Sequence, residues 1–246
     1  MIKVDINADV GEGVINEALL MPLLSSCNIA CGGHAGNKAT IQNVIKLAKK
    51  ERVKIGVHPS FPDKENFGRL PMQLSNDALS ESLKQQIHTF LDIANTEGVA
   101  LHHIKPHGAL YNLAAKDEQT AIIVLDVFDD LAKTVKLYAP FNSIIANLAK
   151  LRGIKVVYEA FLDRRYNEDL SLVNREHPKA LITDENVLLQ QFLVLKNHQK
   201  VVTLDGIEKS IKAETFCIHG DTKNSIELLT FLNHKLPEYH FELDKL

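Results

Sequence analysis

The chain has 246 residues, 45% of them hydrophobic and 24% charged, with a formal net charge of −3. That balance belongs to a globular protein whose core needs no disulfide or structural metal, and it excludes the disordered and fibrous classes. No Lys/Arg run supplies the basic patch of a nucleic-acid binder, no run of about 18 apolar residues is present to span a bilayer, and the first residues lack a signal-peptide apolar region.

Segments rich in β-branched residues alternate with longer helical patterns, which predicts βα units around a parallel sheet, about seven of them in a single domain. Residues 2–8 form the first strand, followed by a short helix at 17–24 and a second strand at 26–30. Asn37 is placed to cap a helix over 38–50, whose Ile41, Val44, Ile45 and Ala48 make one apolar face. Residues 53–57 form the third strand. The stretch 58–73 contains prolines and no helical period, so it reads as a long loop suited to covering a site. A helix over 75–97 precedes the fourth strand at 99–104, and a helix over 117–133 precedes the fifth at 136–139. Asn142 is expected to cap a helix ending at Leu151, before the sixth strand at 155–158. An irregular stretch, 160–183, leads to a helix over 184–197. Short strands are expected at 201–204, 206–212 and 215–218, with Asp205-Gly206 as a turn and the last of them in the barrel. A helix over 222–235 ends before Pro237, with a short tail after it.

Six polar clusters follow the apolar runs, and successive strands of a parallel sheet deliver such residues to one mouth. In Asp5-x-Asn7-x-Asp9-x-Gly11-Glu12 the period of two turns Asp5, Asn7 and Asp9 to one face, where an unpaired buried carboxylate is costly. They are therefore candidates for holding a cation, substrate or water. Asn28 and His34 belong to the second cluster, where Cys31-Gly32-Gly33-His34-Ala35-Gly36 allows a close backbone approach before a helix start. His58 is held extended by Pro59. Lys105 and His107, two apart around Pro106, suit charge stabilisation and proton transfer. Pro106 excludes a helical zinc motif through His103 and His107, and His102 and His103 read as strand residues without catalytic duty. Glu159, Asp163 and Arg164 close the sixth strand. Arg164 or Arg69 of the long loop is a natural fork for a substrate carboxylate. His219 and Asp221 end the series. Cys27, Cys31 and Cys217 are odd in number and lie in apolar stretches, which points to buried thiols in a reducing compartment, the cytoplasm. Gly-Lys-Ser/Thr of a Walker A loop is absent from the sequence.

These clusters resemble the LamB/YcsF family over residues 4–224. The family's Asp-x-Asn-x-Asp-x-Gly-Glu is met at Asp5 to Glu12, its Ser-x-Asn-Ile-Ala-Cys-Gly at Ser26 to Gly32, and its His-Pro-Ser-x-Pro-Asp and Phe-Gly-Arg at His58 to Asp63 and Phe67 to Arg69. Lys-Pro-His-Gly-Ala-Leu-Tyr-Asn stands at Lys105 to Asn112 and Cys-x-His-Gly-Asp at Cys217 to Asp221. The chain departs from the family pattern at Gly33 and Asn37, which replace Phe and Asp, and at Pro178-Lys179, which replaces Pro-Gly. Gly33 is expected to remove a wall of the pocket.

The resemblance implies a seven-stranded β/α barrel of the glycoside hydrolase/deacetylase type. It also implies the chemistry of an ATP-dependent 5-oxoprolinase, cleaving 5-oxoproline (pyroglutamate) to L-glutamate while ATP becomes ADP and phosphate, in company with separate B and C subunits. The expected catalytic residues are Asp9, His58, Lys105, His107 and His219. Asp5, Asn7, Asn28, His34, Arg69, Tyr111, Glu159, Asp163, Arg164 and Asp221 are the expected substrate-binding residues. With ATP as co-substrate, the missing Walker A loop assigns most nucleotide handling to the partners. Two other readings fit the same motifs: a metal-dependent deacetylase with Asp9, His34 and His58 as ligands of a divalent ion, and a non-catalytic regulatory subunit.

Overall fold

The computed structural model describes residues 1–13, 17–129, 131 and 134–246. Its strands are β1 (Ile2–Val10), β2 (Ser26–Ala30), β3 (Lys54–His58), β4 (Leu101–Ile104), β5 (Lys136–Pro140), β6 (Val156–Phe161), β7 (Lys200–Val202), β8 (Glu208–Ser210), β9 (Thr215–Cys217) and β10 (Phe241–Leu243). The helices are α1 (Glu17–Leu20), α2 (Lys38–Lys50), α3 (Asn76–Thr96), α4 (Gly108–Ala114), α5 (Glu118–Phe128), α6 (Ile144–Leu151), α7 (Glu185–Leu193) and α8 (Ser225–Lys235). Strands β1 to β6 and β9 pair in parallel in that order, and β9 returns to β1 with Asp5 opposite Thr215, which closes a seven-stranded barrel. No helix among the described residues is long and apolar enough to cross a membrane.

Strand alternation sorts the residues of β1 into two sets. Val4, Ile6, Ala8 and Val10 join the apolar layer that also holds Ile41, Val44, Ile45 and Ala48 of α2. Full burial of a Val, Leu or Ile side chain is worth about 1.5–3 kcal/mol, so this layer supplies the main driving force for wrapping helices around the barrel. Asp5, Asn7 and Asp9 point the other way, into the interior. Helix starts are fixed by side-chain caps: Asn37 accepts from the Thr40 amide, Ser75 from Ala78, Asp117 from Thr120, and Asp184 from Asn186 and Val187.

Several local features differ from the sequence expectations. The cap of α6 is Ser143, whose Oγ accepts from the Ala146 amide, while Asn142 turns the chain in a left-handed conformation at φ 58°. The expected strands around 201–212 form an antiparallel ribbon, β7 with β8, outside the barrel and turned at Asp205-Gly206. The expected end of the helix after Asp117, at Lys133, lies outside the described residues. Helix α4 was not anticipated, nor was β10, which adds to the start of β1 with Ile2 opposite Phe241.

The long loop after β3 folds over the mouth of the barrel. The Pro59 carbonyl accepts from the His107 amide at 2.8 Å and the Gly68 carbonyl from the Ala109 amide at 2.9 Å. Gly68 has φ +63°, and a Cβ there would lie 2.9 Å from the His34 Cβ and 3.0 Å from His107 Cδ2, so only glycine lets the loop sit this close to both histidines.

Candidate active site

The interior of the barrel is a polar stack built by the inward residues of each strand. At the bottom, Asp5 accepts from Ser26 Oγ at 2.6 Å and Thr215 Oγ1 at 2.7 Å and pairs with Lys54 Nζ at 3.1 Å. Above it Asn7 donates to Thr215 Oγ1 and accepts from Asn28 Nδ2, both at 2.8 Å. Asn28 donates equally to Asp9 Oδ1, at 2.8 Å. Asp5 lies four residues from Asp9 on one strand, roughly 13 Å at 3.3 Å per residue, so it is a floor residue remote from the mouth.

The mouth layer is organised by Lys105, which is 2% exposed and lies 2.9 Å from both Asp9 Oδ1 and Glu159 Oε1. Burial opposes its charge, but the Asp9 and Glu159 carboxylates beside it raise its pKa well above the ordinary lysine range. Burial likewise pushes Asp9 up, and His58 and Lys105 overcome this and hold its carboxyl well below the usual value. Asp9 is therefore a fixed anion. The Glu159 carboxylate, paired with Lys105, and the Tyr111 hydroxyl are buried side by side in the same layer. Tyr111 packs edge-on against Phe161, whose ring also faces Lys105.

His103, which the sequence reading left without duty, belongs to this layer. Its Nε2 lies 2.7 Å from Asn28 Oδ1, an oxygen that can only accept, so Nε2 carries the proton. Its ring lies over Gly56 and stacks on Tyr138 at 3.9 Å. By holding the Asn28 oxygen, His103 turns the Asn28 amide nitrogen toward Asp9 and fixes that carboxylate's orientation. The signal was present in the sequence, since residues 103, 105 and 107 share one face.

Beside Asp9, histidines from the ends of β2, β3 and β4 converge with Glu12. His34 Nε2 is 2.8 Å from Glu12 Oε1, His107 Nδ1 is 2.9 Å from His58 Nε2, and the His34 and His107 rings stack in parallel at 3.6 Å. Glu12, His34, His58 and His107 offer ligand atoms all within 4.8 Å of one another, an arrangement able to hold a metal ion. The expected ligand set of Asp9, His34 and His58 shares His34 and His58 with this group; Asp9 lies beside it, with Oδ1 on Lys105 and Asn28 and Oδ2 3.4 Å from His58 Nε2, while Glu12 and His107 were not among the expected ligands. Glu12 escaped the sequence reading because Gly11, at φ +77°, ends the strand alternation just before it. Burial and the Asp9 charge raise the Glu12 carboxyl to about 7, and burial with the neighbouring His58 lowers His34 to about 3.

His219 sits on the opposite wall, stacked on Phe161 at 5.1 Å, with Nδ1 held 3.0 Å from Asp163. Burial raises the Asp163 carboxyl and His219 brings it back below the ordinary value. Asp221 lies at the rim, bridging Arg69 and Arg175. Arg164 is not directed at the mouth: it is 6% exposed, and its Nη2 donates to the Val173 carbonyl at 2.6 Å, tying down the excursion after β6. Gly33 does not open the pocket, because Ser60 Oγ and Gln86 Oε1 occupy the space of a side chain there, 2.4 and 2.5 Å from an added Cβ. A cleft of about 330 Å³, lined by Glu12, Ala35, Asn37, Thr40 and Lys64, opens beside the cluster.

The model of the LamB/YcsF family matches residues 4–246. The chain is 39% identical over 243 residues to the 5-oxoprolinase A subunit of Haemophilus influenzae (strain PittEE), covering 99% of each chain. It is 37% identical over 238 residues to the protein of the same name from Histophilus somni (strain 129Pt), covering 97% of this chain and 96% of that one. The crystal structure of the lactam utilization protein from Thermus thermophilus superposes with a TM-score of 0.91 at 34% identity, covering 100% of both chains. With the motifs, the closed barrel and these full-length matches in agreement, the chain belongs to the LamB/YcsF family.

Proposed function

We propose that this chain is the A subunit of an ATP-dependent 5-oxoprolinase and that it opens the lactam ring of 5-oxoproline with B and C subunits as partners. The observation that carries the reading is the 39% identity, over 99% of both chains, to a relative bearing that name. The residues of the mouth suit the chemistry. A five-membered lactam is a stable amide, and transfer of the ATP γ-phosphoryl group to its oxygen, releasing ADP, makes the ring carbon electrophilic. Water then adds to that carbon, and the carbon–nitrogen bond breaks as nitrogen takes a proton. The glutamyl phosphate that remains is hydrolysed by a second water to glutamate and phosphate.

In this reading Lys105, fixed as a cation, stabilises the negative charge that develops on oxygen or phosphate. His219, oriented by Asp163 on the far wall, delivers the proton to nitrogen. The cluster of Glu12, His34, His58 and His107, with Asp9 beside it, forms the side at which water is activated. Tyr111 with the Lys105-paired Glu159, buried side by side, and Arg69 with Asp221 at the rim are the groups offered to the substrate.

The test is glutamate formation from 5-oxoproline and ATP by the purified chain with and without the partner subunits. Little turnover alone and full turnover on reconstitution is the expected result. Full ATP-dependent turnover by the isolated chain refutes the division of labour, and an inactive reconstituted complex refutes the activity. A second reading, metal-dependent amide hydrolysis, is favoured by the carboxylate–histidine cluster and predicts hydrolysis that needs a divalent ion and no ATP.

A further inference from the structure

The proton positions in the cluster leave a point where lone pairs converge. His58 Nδ1 lies 2.7 Å from the Lys105 carbonyl and His107 Nε2 lies 2.9 Å from the Phe67 carbonyl. A carbonyl oxygen only accepts, so each of those nitrogens carries its ring's proton. In the neutral rings the other two nitrogens, His58 Nε2 and His107 Nδ1, are bare, and they face each other at 2.9 Å. Glu12 Oε1 lies 3.3 Å from the second and 3.8 Å from the first, and Asp9 Oδ2 lies 3.4 Å from His58 Nε2. Acceptors do not gather in this way around nothing; a positive species belongs between them.

We propose that this species is one divalent transition-metal ion of the zinc class, bound by Glu12, His34, His58 and His107. Tetrahedral zinc at about 2.0–2.1 Å from nitrogen and oxygen sets its ligands about 3.4 Å apart. The separations of 2.8, 2.9, 3.3 and 3.8 Å among these ligand atoms bracket that spacing. Three imidazoles and a carboxylate are a donor set for zinc, nickel or iron rather than for magnesium or calcium. Two of the three histidines make the outer contact of a ligating imidazole, donating the second N–H to a carbonyl, His58 to Lys105 and His107 to Phe67, while the buried His34 Nδ1 has no partner among the described residues. Gly68 closes over His34 and His107 from above, shielding these ligands from solvent. The competing occupant is a proton shared between His58 and His107 across their 2.9 Å contact.

The inference concerns binding and stands apart from the activity proposed above. Full-length protein is stripped with a chelator and titrated with zinc against a chromophoric competitor, and X-ray absorption is recorded on the loaded sample. The expected result is one equivalent of zinc with nitrogen and oxygen neighbours at about 2.0–2.1 Å. Glu12→Gln and His107→Ala should each weaken binding at least about 100-fold, whereas His219→Ala, outside the cluster, should retain it. Circular dichroism on the same samples establishes folding, and if either cluster variant fails to fold, the stoichiometry and absorption data on the wild type decide. Absence of stoichiometric binding, sulfur in the coordination shell, or equal affinity in folded Glu12→Gln and His107→Ala overturns the proposal. Nitrogen NMR showing a proton shared by His58 and His107 that zinc does not displace overturns it as well.

Discussion

Replacing Lys105 with Met deletes one charge and keeps the apolar stem, and the geometry sets how much that matters. The ammonium lies 2.9 Å from the carboxylates of both Asp9 and Glu159, and neither acid is more than 6% exposed. Removing one partner of a buried ion pair leaves an uncompensated charge, which costs about 3–5 kcal/mol. At about 2–4 °C per kcal/mol in a chain of this size, the melting temperature should fall by about 6–20 °C. The loss should depend on pH in a definite sense. In the wild type the Asp9 carboxyl is held well below 3.8, so its contribution is complete above that value and is lost as pH falls through the lowered pKa. Without Lys105 the Asp9 carboxyl moves up toward the value that burial favours, with His58 still opposing it, so the variant loses stability relative to wild type as pH rises through that higher pKa. The gap between variant and wild type should therefore be wider at pH 8 than at pH 5. The Lys105→Met/Asp9→Asn double variant should recover part of the loss without recovering turnover, because the two groups are coupled. Thermal melts by circular dichroism across that pH range decide it. A Lys105→Met protein melting within about 2 °C of wild type at pH 8 would show that the interior is solvated and the ion-pair argument wrong.

Gly56→Ala places a Cβ 2.2 Å from His103 Nε2, so the ring must move and its bond to Asn28 must break. Overpacking of this kind costs about 1–3 kcal/mol, and an unchanged melting temperature would contradict the placement of His103. The thiols of Cys27, Cys31 and Cys217 are all buried, and burial pushes each pKa upward. Ellman's reagent should label none of them in the native protein and all of them in denaturant; rapid native labelling would show that the barrel opens.

Much of this site follows from strand alternation, and its gaps have identifiable causes. Asp5, Asn7 and Asp9, and separately His103, Lys105 and His107, share faces because side chains repeat every second residue. Alternation gives the face but not the depth. Only the pairing of Asp5 with Lys54 and Thr215 shows that the first carboxylate belongs to the floor while the third belongs to the mouth. Where the backbone leaves the strand, alternation carries no information: Gly11 redirects Glu12 into the histidine cluster, and the turn after Phe161 sends Arg164 to the Val173 carbonyl instead of the mouth. Gly33 shows the same limit for space, since the wall it was expected to remove is supplied by Gln86, 53 positions later on α3. Strand β10 has too few residues to show a period and gains its place only by pairing with β1. The part that sequence periodicity could not supply is thus the tautomer pattern. Which nitrogen of His58 and His107 is bare depends on the Lys105 and Phe67 carbonyls, and those are aimed by Pro106 and by the left-handed turn at Phe67 and Gly68. The chemistry of the cluster is decided by backbone carbonyls as much as by the histidines themselves.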